Sequence, residues 1–88
     1  MNLINLSVIN DDIGINFHPR DSFAIENNII INLDIISYIV VTNYYHPESV
    51  KYVVEFHCGS DIFCNQGYET REEAEKIKEK FINFLLKN

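Results

Sequence analysis

The chain has 88 residues, of which 47% are apolar and 23% charged; that is enough for one domain with one core, and it argues against both a second core and a disordered chain. Its formal charge is −6, with only seven Lys and Arg. Direct binding to nucleic-acid phosphates or to an anionic membrane surface is therefore disfavoured, while a basic protein partner is permitted.

The opening "MNLINLSVIN" has no basic residue before its apolar stretch, unlike a secretory signal. The longest apolar run, "IIINLDIISYIVV", is interrupted by Asn32, Asp34 and Ser37 and falls short of the ~20 residues that cross a bilayer. With two cysteines and no export signal, the expectation is a cytoplasmic protein with free thiols.

In chain order, "LINLSVI" alternates, with Ile4, Leu6 and Val8 on one face. "NDD" supplies turn residues, and "IGINF" places Ile13, Ile15 and Phe17 together. The pattern predicts a first hairpin. "HPRDS" reads as a loop around Pro19. Asn27-Asn28 predicts a turn, "IIINL" a strand, and Asp34 a break or bulge. "IISYIVVTNYY" is apolar on both faces over "YIVV", as expected of a strand in the middle of a sheet. "HPES" is the next turn. "VKYVVEFH" puts Val50, Tyr52, Val54 and Phe56 on one face, and "IFCNQGY" is the final strand.

The C-terminal segment predicts a helix over residues 71–86. "TREE" is a capping box, in which Thr70 takes the Glu73 N–H and Glu73 reaches back. Glu69, Glu72, Glu73 and Glu75 suit the positive end of the helix dipole and Lys87 the negative end. Ala74, Ile77, Phe81 and Leu85 recur at helical spacing, widened by Ile82 and Phe84. Glu72 and Lys76 form an i,i+4 pair.

"HCGSDIFC", residues 57–64, gathers His57, Cys58 and Cys64 and invites a metal, redox or nucleophile reading. A tight turn accounts for it better. Gly59 in the first central position suits a type II′ hairpin. Cys58 then faces Asp61, His57 faces Ile62, Phe56 faces Phe63 and Glu55 faces Cys64. In that register the cysteines lie about 10 Å apart and on opposite faces, beyond disulfide reach. His57 and Cys64 share a face, and with His46 they make three ligands at best, without zinc spacing. Glu55 beside Cys64 would raise that thiol's pKa, the wrong direction for a nucleophile. No Gly-rich phosphate loop, G-K-[ST], H-E-x-x-H or G-x-S-x-G occurs. The expectation is no catalytic residue, no metal and no cofactor.

For contacts, "NYYHPES" sets Tyr44, Tyr45 and His46 beside a proline turn, and tyrosine is enriched where proteins meet. Glu69, Glu72 and Glu73, with Glu75, Glu79 and Asp61, offer a negative patch to a basic groove, although Lys76, Lys78 and Lys80 interrupt it.

"INLDIISYIVV", "VKYVVEFHCGSDIFC" and "YETREEAEKIKEKF", spanning residues 29–86, together resemble the ending of many small acidic proteins from low-GC bacteria and their phages: a β-meander, then a helix opened by a T-x-E-E-A start. Fourteen Ile and eleven Asn, with their AT-rich codons, fit such a source. The resemblance implies the company of anti-CRISPR and other anti-defence proteins, which act by occupying a host protein's surface in the host cytoplasm. It assigns no residue a role.

The expected fold is α+β: an antiparallel, twisted sheet of about five or six strands with one C-terminal amphipathic helix on one face. The expected function is non-enzymatic protein binding, with inhibition of a host nucleic-acid-handling or defence complex as its specific form. Tyr44, Tyr45, His46, Glu69, Glu72 and Glu73 are the contact residues. A sheet with an uncovered face or edge also favours a homodimer. The alternative is a regulatory domain that binds a small ligand or a peptide.

Overall fold

The computed structural model describes residues 2–21, 28–46 and 49–87, with Tyr45 and His46 described in their backbone only. The class is as expected: α+β, with six strands in two antiparallel sheets and a C-terminal helix. β1 (Leu3–Asn5) pairs with β3 (Ile30–Asn32) in a small sheet. The larger sheet has the order β2 (His18–Pro19), β6 (Asp61–Cys64), β5 (Ser49–Cys58), β4 (Ile36–His46). The helices are α1 (Leu6–Ile13) and α2 (Arg71–Lys87).

The first expected hairpin is not formed; α1 replaces it. Three signals favour a helix there. Asn5 caps it, its side chain accepting the Ser7 N–H at 3.0 Å. Leu6, Ile9 and Ile13 fall at i, i+3 and i+7 and are all buried, while Val8, expected on their face, is half exposed. Gly14, at φ +75°, closes the helix by donating its N–H to the Asn10 carbonyl at 2.8 Å. Asn10, expected in a turn, sits inside the helix. Its side chain accepts the Phe17 N–H at 2.9 Å and donates to the Phe17 carbonyl at 3.2 Å. That exchange gives Phe17 the pairing a neighbouring strand would have supplied.

Two further readings change. His18–Pro19, expected in a loop, pairs with Cys64 and Phe63 as an edge strand. β4, expected in the middle of the sheet, is its other edge, and β5 is central. The break at Asp34 is a 3-10 turn, Leu33–Ile35, in which Asn32 caps the Asp34 N–H at 3.0 Å. Pro47 and Glu48 of the expected "HPES" turn lie outside the described residues, as does Asn27.

The hairpin at Gly59 has the predicted register: Cys58 faces Asp61, His57 Ile62, Phe56 Phe63 and Glu55 Cys64. Gly59 has φ +63°, and no residue other than glycine has positive φ among those described; a single positive φ at the first central position is the type II′ signature. Both cysteines are free.

That register decides which side chains face the helices. Ile39 and Val41 of β4, Val54 and Phe56 of β5, and Phe63 of β6 face the core with α2 laid over them. Phe56, fully buried, is ringed by Phe63 at 5.0 Å, Phe81 at 4.8 Å and Phe17 at 4.9 Å between centroids. The helix starts as expected: Thr70 Oγ1 accepts the Glu73 N–H at 3.2 Å and donates to the Glu73 carboxylate at 3.1 Å. Ala74, Phe81 and Phe84 are buried, Ile77 and Leu85 half-buried, and Ile82 is left exposed. Glu75, rather than Glu72, carries the helix's ion pairs, with Arg71 at 4.0 Å and Lys78 at 3.1 Å.

Truncating the ring at the centre of this cluster is expected to be severe. Phe56→Ala should lower unfolding free energy by about 3–5 kcal/mol, out of roughly 5–15 for a domain of this kind. Leu86→Ala, at a residue 80% exposed, should stay within about 0.5 kcal/mol. Urea titrations of both variants followed by circular dichroism check the contrast.

Candidate functional site

The second face of the large sheet has no described element packed over it. Strand register lays its side chains out in rows. One row is Tyr38, His57, Ile62 and Arg20; the next is Val40, Glu55, Cys64 and His18; Thr42 and Val53 follow, then Tyr44 and Lys51. Across these rows runs a groove of about 830 Å³, lined by His18, Arg20, Tyr44, Val53, Glu55 and Cys64 among others.

Polar groups converge along one side of it. The Glu55 carboxylate takes the His57 Nε2 at 3.0 Å and faces the Arg20 guanidinium at 3.9 Å. Tyr38 stacks on the His57 ring at 4.0 Å, with planes 25° apart. Arg20 is half exposed while Glu55 is largely buried, with 14% side-chain exposure. A carboxylate so shielded is best held with a cation beside it, and Arg20 provides one.

Beyond Cys64 the chain does not continue as a regular strand, as "IFCNQGY" suggests it would. β6 stops at Cys64, and the chain returns to β5 only at Tyr68, which exchanges backbone hydrogen bonds with Tyr52 at 2.8 and 2.7 Å. Between those points three residues, Asn65 to Gly67, oppose two, Val53 and Val54: a β-bulge. Asn65 is buried, and its side-chain oxygen accepts the Val54 N–H at 2.9 Å, standing in for the missing ladder carbonyl. Its Nδ2 makes no hydrogen bond of good geometry. It acts on the Tyr68 phenol as a nearby dipole, partly opposing the rise in pKa that burial imposes there. Gly67 lies against β5: a Cβ there would come within 2.5 Å of the Lys51 Cβ and 3.0 Å of the Tyr44 hydroxyl. The bulge therefore holds Tyr44 at the groove's rim.

The contact residues expected from sequence are distributed unevenly. Tyr44 is 44% exposed and lines the groove. Tyr45 and His46 pair in the backbone with Val50 and Ser49, and their side chains lie outside the described residues. Glu69 reaches Lys51, the cross-strand neighbour of Tyr44, at 3.5 Å, so it shares that end of the sheet. Glu72 is exposed in the first turn of α2, while the Glu73 carboxylate is engaged by its own cap. Asp61 sits at the opposite end of β5, beside Cys58, roughly 23 Å from Lys51 at strand rise. Asp61 thus stands apart from Glu69. Arg20, Glu55, His57 and Tyr38 were not singled out as a set by sequence reasoning; the only signal was the alternation of β5, which already put Glu55 and His57 on the face opposite Phe56.

Both thiols are held above their ordinary pKa. For Cys64 burial is the main cause, Glu55 adds to it, and Arg20 opposes it. For Cys58 burial again dominates, with Asp61 adding and a backbone contact at Asn32 opposing. Among the described residues no three His, Cys, Asp or Glu side chains converge as a cation would require. No described helix is long and apolar enough to cross a membrane. No protein-family model, curated protein or solved structure matches the chain.

Two outcomes follow. Gly67→Ala must push Lys51 or Tyr44 aside, and should cost about 1–3 kcal/mol in a urea titration. The raised thiols make the folded state hold its protons longer than the unfolded chain. Their contribution to stability is therefore complete below pH 9.0, the ordinary thiol value, and is lost as pH rises beyond it. Melting temperature should fall more steeply above that pH in the native chain than in Cys58→Ala/Cys64→Ala, and alkylation of the native thiols should be slow at neutral pH.

Proposed function

We propose that this chain is a non-enzymatic protein-binding module whose partner docks on the face of the large sheet over which no described element packs. The observation that carries the reading is the groove itself: a buried apolar Val53, an exposed aromatic rim at Tyr44, and the charged pair Arg20–Glu55 at its side. Such a mixture of an aromatic anchor with a few placed polar groups suits recognition of another protein. The acidic balance of the chain and the exposed Glu69, which reaches Lys51 at the Tyr44 end of this face, favour a basic partner, through steering more than through affinity.

Within this reading, the resemblance to small phage-type proteins points to inhibition of a host nucleic-acid-handling or defence complex as the specific role. The raised thiols support a binding role over a cysteine nucleophile. A second reading, a regulatory domain for a peptide or small ligand, rests on the groove volume of about 830 Å³, which lies in the range that holds such ligands.

The test is capture from bacterial extract on immobilised native chain, Tyr44→Ala, Arg20→Ala and Lys80→Ala. A partner retained by the native chain and by Lys80→Ala, but reduced about tenfold by Tyr44→Ala, supports docking at the groove. Equal retention by all four chains rules this surface out, and a melting-temperature shift with a metabolite pool in place of any captured protein favours the second reading.

A further inference from the structure

The two edges of the large sheet are built differently. β2 is two residues long and contains Pro19. The Arg20 N–H points inward to the Ile62 carbonyl at 2.9 Å, so the proline nitrogen faces outward, where it offers no donor. A short strand, an outward proline and a neighbouring arginine are devices that keep an edge from pairing. β4, at the other edge, has none of these three, only a bulge between Ile36 and Tyr38 at its start. It runs eleven residues, "ISYIVVTNYYH", without a proline, a glycine, a Lys, Arg, Asp or Glu.

Its free side follows from the register. Tyr52 and Val54 of β5 point their backbone groups toward Tyr68 and Asn65. Lys51, Val53, Glu55 and His57 therefore point theirs toward β4, where they meet Tyr44, Thr42, Val40 and Tyr38. The intervening residues Ile39, Val41 and Asn43 present N–H and C=O groups outward, without backbone partners among the described residues.

We propose that β4 pairs antiparallel with β4 of a second copy, about a two-fold axis through Val41, joining the two four-stranded sheets into one. Val41 is both the midpoint of Ile36–His46 and an outward-facing residue, so this axis uses the regular stretch of the strand that follows the bulge between Ile36 and Tyr38. It sets Val41 against Val41 on the axis, and Ile39 against Asn43 and Tyr38 against Tyr44 twice each. Tyr38 and Tyr44, 53% and 44% exposed, then meet as non-hydrogen-bonded pairs, where side chains approach most closely. A second copy is the occupant the strand's chemistry selects. β4 carries none of the chain's −6 charge, so nothing on it would attract a basic strand, and no carboxylate enters a seam with its own copy. The net charges repel only at a distance, and salt screens that repulsion. Eleven residues a side is about half of a standard interface, so the dimer is weak and reversible. The grooved face remains open on both copies.

Sedimentation equilibrium of the full chain from about 10 µM to 1 mM, the range of a small interface, is expected to show a mass rising from 10.3 kDa toward twice that value, with association tightening as salt is raised. Asn43→Pro blocks an outward N–H without touching the β4–β5 ladder and should weaken association about tenfold, two hydrogen bonds being lost per dimer. Tyr38→Lys, which sets a charge against Tyr44 of the other copy, should weaken it too, and decides the matter if the proline variant does not fold. A mass of 10.3 kDa at every concentration, or self-association unchanged in the folded variants, overturns the proposal.

Discussion

The structure depends on one aromatic ring. Phe56 is fully buried in the middle of β5 and touches rings from three separate parts of the chain: Phe17 after α1, Phe63 on β6 and Phe81 on α2. Each contact places a different element. Phe17 meets its edge to face at 89°, Phe63 stacks at 13°, and Phe81 comes in tilted from the helix. Rings arranged this way exchange favourable edge and face contacts as well as burying large area. With so few residues, a domain has little else with which to hold a helix on a sheet.

The ring can take that place only because the hairpin turns at Gly59. A slip of one residue would carry Phe56 and Val54 to the other face and bring Glu55 and His57 inside. The same glycine therefore decides two things together. It points the phenylalanines at α2, and it points Glu55 and Cys64 at the groove, with His57 beside Glu55. Function, on the reading proposed above, is the outward consequence of a register chosen for the core.

That register was legible in the sequence because its signals were local: a glycine at the turn centre, a Phe on each side at equal distance, and alternation in both arms. The C-terminal helix was legible for the same reason, through Thr70, Glu73 and the Ala74–Ile77–Phe81–Leu85 stripe. α1 was missed because Ile4, Leu6 and Val8 satisfy alternation while Leu6, Ile9 and Ile13 satisfy helical spacing, and a short segment supports both patterns. Asn5 and Gly14, as caps, held the information that separates them. β4 was misplaced because apolar residues on both faces imply cover on both, whereas Tyr38, Val40 and Tyr44 lie on the open side. Of the candidate site, Tyr44 was visible as an aromatic beside a turn. The Arg20–Glu55 contact joins residues 35 apart through a strand that reads as a loop, and the Asn65–Gly67 bulge depends on a side chain replacing a backbone carbonyl. Neither has a local pattern to find.

Charged side chains and the exposed tyrosine rings lie on different elements of this molecule. Lysines and glutamates alternate along α2, where they pair with one another or face solvent. The exposed aromatics Tyr38 and Tyr44 lie instead on the uncharged β4. On the face of the sheet away from α2 lies the Arg20–Glu55 pair, with its charges already opposed. Contacts made by the two regions must then answer to salt in opposite ways. A basic partner drawn by Glu69 and Glu72 loses its attraction as ions screen it, while a pairing of β4 with its own kind loses only a repulsion. Ionic strength alone separates the two modes, because the fold has put the forces behind them on different strands and helices.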